Sequence, residues 1–151
     1  MSQVDAATDE QAMAHILLGD DPQRFTKPQT VDTTLRDFES MTHSIDQIME
    51  DNPNALVMID SYINGPLILL AKHPDRFVIA SDRDFKQRME DAHHQVDYIL
   101  LAPPVGQAAL TGANAFYPEM YGGGVPWARL VTEYTENGKG RLFRIDRNIP
   151  N

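Results

Sequence analysis

Three short apolar runs in this chain each break on a polar or proline-rich step. Ala55-Leu-Val-Met-Ile59 runs into Asp60, Phe77-Val-Ile-Ala80 into Ser81-Asp82, and Tyr98-Ile-Leu-Leu101 into Ala102-Pro103-Pro104. Near-continuous apolar runs of this length suit strands buried on both faces of a parallel sheet. Stretches long enough for a crossover helix separate them. The pattern predicts an α/β fold, a three-layer Rossmann-like mixed sheet whose first three strands are parallel and joined by right-handed helical crossovers. In such layers ligands collect outside the carboxyl ends of the strands.

The N-terminal third carries a different period. Thr8-Asp-Glu-Gln11 is a capping-box pattern ahead of Met13, Ile16 and Leu17 at helical spacing, closed by Gly19-Asp-Asp-Pro22. Phe25 to Thr34, with Pro28 and scattered threonines, reads as an extended loop. Leu35, Phe38, Met41, Ile45, Ile48 and Met49 line one stripe of a helix from Leu35 to about Glu50, which Asp51-Asn-Pro-Asn54 ends. Residues 1–54 are thus expected as a helical and linker segment packed on a 55–151 core, all in one domain.

Within that core Asn64-Gly65-Pro66 predicts the start of a short helix, Pro66 in its first turn, and His73-Pro74-Asp75 its stop. Asp84 is placed to cap a helix through His93, with Gln87 completing a capping box. Gly106 to Tyr121 reads as helical, ended by Gly122-Gly-Gly124. Trp127–Tyr134 and Arg141–Ile145 alternate around Asn137-Gly138, a hairpin signal, and are expected to extend the sheet antiparallel.

Charge narrows the partners. With 13 basic and 22 acidic residues the net charge is −9, which repels a phosphate backbone and an anionic membrane, so nucleic acid is excluded as a partner. The chain has no cysteine, which removes disulfides, thiolate metal sites and a cysteine nucleophile. No apolar stretch approaches the ~20 residues of a membrane-spanning helix, and the acidic start has no signal-peptide pattern. The chain as it stands is expected to be soluble.

Four residues at the strand ends carry the candidate chemistry: Asp60, Asp82, Arg83 and Asp84. Two carboxylates flanking one residue, Asp82-Arg83-Asp84, are the arrangement with which many sugar-nucleotide transferases share a divalent ion with a diphosphate. Aspartate is common enough here, 15 of 151 residues, that one such triplet arises by chance, and Asp84 has a sufficient structural role as a cap. Asp60, paired in space with Asp82, would make an acid/base or metal pair; its plainer role is at a helix N-terminus. Arg83 would hold an anion, against a structural ion pair with Asp60 or Asp75. The histidines form no metal constellation: His93 and His94 are adjacent and point about 100° apart on a helix. His15, His43 and His73 stand alone. Gly122-Gly-Gly124 follows a helix and lacks a Lys-Ser/Thr, so it is no phosphate loop. No nucleophile elbow or dinucleotide fingerprint is present, so no cofactor and no metal is expected.

Several segments together resemble a known family. Asp75-Arg-Phe-Val-Ile79, Ser81-Asp-Arg-Asp-Phe85, Val96-Asp-Tyr-Ile-Leu100 with Pro103, Asn114-Ala-Phe-Tyr-Pro118 and Leu142-Phe-Arg-Ile145 are similar to the soluble C-terminal region of actinobacterial polytopic membrane proteins. Those proteins are described as glycosyltransferase-like, of the dolichyl-phosphate-mannose mannosyltransferase kind. Leu18-Gly-Asp-Asp-Pro-Gln-Arg-Phe25 resembles the linker into that region. The resemblance implies an extracytoplasmic domain whose partner is the membrane-embedded portion of its own parent chain, with membrane helices encoded upstream of Met1. It also implies that catalysis belongs to that membrane portion and that this domain binds a glycan, acceptor or partner. The alternative is an independent sugar-phosphate or sugar-nucleotide binder or enzyme using the strand-end residues.

Overall fold

A 24-residue helix, α1 (Pro28–Asp51), opens the described chain. The computed structural model describes residues 28–135 and 140–150, with side chains from Arg36 onward except Asp37. The expected helix at Thr8 to Leu17, the linker before Phe25 and the Asn137-Gly138 turn lie outside the described residues. The expected loop from Phe25 to Thr34 is corrected, because α1 already begins at Pro28. Proline fits a first helical turn, whose amides have no intrahelical acceptor, so Pro28 starts this helix instead of preventing it.

The predicted stripe is the buried one: Met41, Ile45 and Met49 are inaccessible, with Phe38 and Ile48 packed beside them. Sequence periodicity did not single out Asp46, which is also buried. Its carboxylate accepts the backbone N–H of Lys72 at 3.1 and 3.2 Å. That bond ties α1 to the chain leaving the next helix.

The strands are β1 (Val57–Ile59), β2 (Phe77–Val78), β3 (Tyr98–Leu101), β4 (Ala128–Tyr134) and β5 (Gly140–Ile145). They form one mixed sheet in the order β2-β1-β3-β5-β4. β1 pairs in parallel with β2 and with β3. The hairpin strands β4 and β5 are antiparallel, and β5 lies against β3. Alternate residues sort to opposite faces. Val57, Ile59, Phe77, Tyr98, Leu100 and Leu142 pack with α1 and with Leu67 of α2 (Ser61–Leu70). Met58, Val78, Ile99, Leu101 and Phe143 pack with Met89, Ala92 and Ala113. These belong to α3 (Phe85–Glu90), α4 (Ala92–Gln95) and α5 (Gly112–Phe116). The fold is α/β with a five-stranded mixed sheet and helices around it.

Local corrections share a cause: backbone angles that no helix continues through. The helix expected through His93 breaks at Asp91, with φ −125° and ψ 39°. The one expected from Gly106 to Tyr121 divides into a 3-10 helix, Gly106–Leu110, and α5. The break falls at Thr111, extended at φ −121° and ψ 160°, and at Gly112, whose φ of +51° lies in a region that favours glycine. In α2 a turn capped by Asp60 precedes a kink at Asn64, and Pro66 stands in the first turn beyond it.

Candidate functional site

The β2-β1-β3 order brings the segments after these strands to one edge of the sheet, where the four strand-end residues lie. Asp60 leaves β1 in extended conformation and caps α2, its Oδ1 accepting the Tyr62 N–H at 3.0 Å. Its Oδ2 accepts a short hydrogen bond from the Thr111 hydroxyl. Gly112 is held so close that a Cβ there would lie 3.1 Å from Asp60 Oδ2. Asp60 therefore clips the loop after β3 onto the end of β1. Asn114 secures the same loop from inside, its Nδ2 donating to the carbonyls of Ala102 at 2.9 Å and Ala108 at 3.0 Å.

Asp82 is used differently. Its Oδ2 accepts the Ile79 N–H at 2.9 Å, closing the turn after β2. Asp84 occupies the N-cap position of α3 but makes no capping bond, correcting that expectation. Its ψ of 7° departs from the extended geometry in which a cap carboxylate reaches the second or third amide. The carboxylate instead accepts Arg88 Nε at 2.6 Å, and this hydrogen bond and charge hold its pKa below the ordinary value. Arg83 is exposed and pairs with neither Asp60 nor Asp75; its guanidinium has no partner among the described residues. No group of three His, Asp or Glu side chains is placed to hold a metal among the described residues. His93 is buried, its Nε2 against the Asp146 carbonyl at 3.1 Å.

A concavity lies at the other end. A cavity of about 850 Å³ opens at the amino ends of β1 and β3, lined by Asn54, Asp97, Arg129, Arg144, Arg147 and Asn148 among others. Asp97 holds its floor together. One carboxylate oxygen accepts the Leu56 N–H at 2.9 Å and the other Arg147 Nη2 at 2.9 Å. Arg129 lies 3.9 Å from Asp146, at the outer limit of an ion pair.

Comparison with protein-family models, curated proteins and solved structures finds no match.

Chemically the two ends offer different things. The carboxyl edge presents carboxylates already accepting hydrogen bonds from their own chain. The amino end presents guanidinium and amide donors around an open volume of the size that small-molecule sites occupy. Sequence reasoning missed Arg129 and Arg144. The alternation of both hairpin strands was the signal available, but the face each arginine takes depends on a β-bulge between Leu130 and Thr132. Among the described residues no helix is long and apolar enough to cross a membrane.

Proposed function

We propose that this chain is a recognition domain, a non-catalytic extracytoplasmic accessory domain of a membrane glycosyltransferase-like protein. It docks on the membrane-embedded portion of its parent chain and binds a glycan or small molecule there. Its parallel strands serve as the Rossmann-like frame that holds this binding surface. One observation carries the reading: the strand-end acids that chemistry would use are committed to local bonds. A carboxylate serving as base or metal ligand needs a free lone pair aimed at an open site, and these aim at amides, a hydroxyl and a guanidinium. The resemblance to the soluble region of such membrane proteins supports it independently.

A second reading keeps one observation in its favour. Asp60, Thr111 and Gly112 meet between β1 and β3, where the strand order reverses and open α/β sheets bind ligands. It makes the chain a sugar-phosphate or sugar-nucleotide binder or enzyme at that edge. Incubating the chain with nucleotide sugars and aryl glycosides, with products followed by mass spectrometry, separates the two. Recognition predicts no turnover, with bound ligands perturbing amides away from Asp60. Hydrolysis or transfer that disappears in Asp60→Asn overturns it.

A further inference from the structure

We propose that the cavity at the amino ends of the parallel strands binds a phosphate group carried on a polar small molecule, held between Arg129 and Arg144. The inference deepens the recognition reading, on which it rests for binding without chemistry, by naming the ligand class and the residues.

The register supplies the first reason. One row of residues crosses the sheet from Phe77 through Val57 and Tyr98 to Arg144 and Arg129. Arg144 and Arg129 are direct cross-strand partners, with Cβ atoms about 5 Å apart in such a pair. Like charges directly opposite disfavour a sheet pair, and an anion bound between them would relieve that. The chain supplies little: Arg144 has no side-chain partner among the described residues, and Arg129 has only the 3.9 Å approach to Asp146.

The acids of the cavity accept hydrogen bonds within the chain. Asp97 accepts the Leu56 amide and Arg147. Asp146 Oδ1 accepts the backbone and side-chain nitrogens of Asn148 at 3.1 and 3.3 Å. Asp51 Oδ1 accepts Gln47 Nε2 at 3.2 Å. Among the described residues Arg144 is thus left with no acid in contact, and Arg129 with Asp146 alone at 3.9 Å.

Charge count and donor geometry decide the class. A carboxylate neutralises one arginine, whereas a phosphate monoester carries close to two negative charges and offers three acceptor oxygens. The guanidinium forks match phosphate oxygens in pairs. The cavity far exceeds one phosphate, and Asn54, whose amide has no hydrogen bond among the described residues, faces the remainder. A hydroxyl-bearing body fits such amide lining.

The test titrates the full chain with inorganic phosphate, glycerol 3-phosphate and glycerol, and with vesicles of phosphatidylglycerol or phosphatidylcholine. Calorimetry and backbone-amide NMR give the readout. Phosphate and glycerol 3-phosphate are expected to bind saturably, shifting the amides of Arg129, Arg144 and Asn54, and glycerol is not. Arg144→Gln should weaken the phosphate-bearing probes about tenfold or more, the loss of one charge-assisted contact. Without ligand its melting temperature should hold or rise, because the repulsion is relieved. Lys86→Gln, which removes a positive charge away from the cavity, should leave binding unchanged. Saturable binding of phosphatidylglycerol vesicles lost in Arg144→Gln supports the site with a lipid headgroup as the source; tighter glycerol 3-phosphate points to a soluble one.

No saturable response to any phosphate-bearing probe overturns the inference. So does equal weakening by Lys86→Gln, or a ligand-free Arg144→Gln that melts well below the parent chain. A neutral glycan that binds Arg144→Gln undiminished removes the phosphate assignment and leaves the recognition reading standing. Glycosyl turnover removes the recognition reading while phosphate binding through Arg144 can still be read.

Discussion

Asp60, Asp82 and Asp84 at the carboxyl edge of the sheet are each held by an amide, a hydroxyl or a guanidinium of the chain, whereas Arg129 and Arg144 at the amino edge are direct cross-strand partners with only the 3.9 Å approach of Asp146 to Arg129. An aspartate after a strand finds local partners, because the next turn or helix presents free N–H groups within a few residues. The cross-strand arginines have no such supply, since the ladder sets Arg144 between Tyr98 and Arg129. The strand-end acids are thus bound locally, while the two arginines depend on contacts from farther along the chain.

The largest expected effect tests whether the amino edge is built or merely open. Asp97→Ala removes the acceptor of the Leu56 amide at the entry to β1 and releases Arg147. A part-buried donor left without a partner costs about 2 kcal/mol. Urea denaturation should register that loss as a lower midpoint at unchanged slope. An unaltered midpoint would mean that water replaces Asp97 freely and that the cavity floor is not fixed.

At the opposite edge Asp60→Ala should cost somewhat less, about 1 kcal/mol for the lost helix cap. The released Thr111 hydroxyl should also loosen the loop carrying Asn114. Amide hydrogen exchange should accelerate from Thr111 to Phe116 while β3 stays protected. Asp60→Asn keeps an acceptor and should retain most of the stability. If Asn proves as damaging as Ala, the charge itself matters at that edge, and the contrast between the two ends weakens.

How much of this was legible beforehand follows the range of each interaction. The parallel strands were, because an apolar run buried on both faces needs no partner to be recognised. So was the Met41, Ile45 and Met49 stripe, a local period of one helix. Asp46 was not: it sits among these positions as an apparent misfit, and its partner amide belongs to Lys72, 26 residues on. Nor was the arginine pair. From Thr132 to Tyr134 the partner numbers add to 274, and before the bulge they add to 273, which sets Arg129 opposite Arg144. Without that shift of one residue Arg129 would face Ile145, and the charges would fall on opposite sides of the sheet. The Asn137-Gly138 signal locates a turn and is silent about a bulge several residues away.

A smaller effect separates the two edges by pH. Tyr134, at the carboxyl edge, donates to Ser44 of α1 at 3.1 Å, and burial pushes its phenol above the ordinary value of 10.0. A group whose folded pKa is raised contributes stability fully below its unfolded pKa and loses it as pH rises through the folded one. The parent chain should therefore lose stability above about pH 10, and Tyr134→Phe should show a shallower decline. Identical alkaline limbs in the two proteins would show that Tyr134 ionises without cost. Lys72, raised by its hydrogen bond to Glu50, declines in the same range in both proteins and cancels in the difference.

The smallest expected effect is at Asp84, one acid of the Asp82-Arg83-Asp84 triplet. The Arg88 hydrogen bond lowers its pKa below 3.8, so its contribution is present above the unfolded value and fades as pH falls through the folded one. Asp84 is solvent-exposed, and so the ion pair is screened and weak. Asp84→Asn should leave the melting temperature at neutral pH nearly where it was, with or without magnesium or manganese. The bond itself remains measurable: the carboxyl carbon of Asp84 should titrate below the ordinary aspartate midpoint and return toward it in Arg88→Gln. A metal-dependent rise in melting temperature that Asp84→Asn abolishes would reverse the comparison, because one acid of the carboxyl edge would then exchange its arginine for an ion.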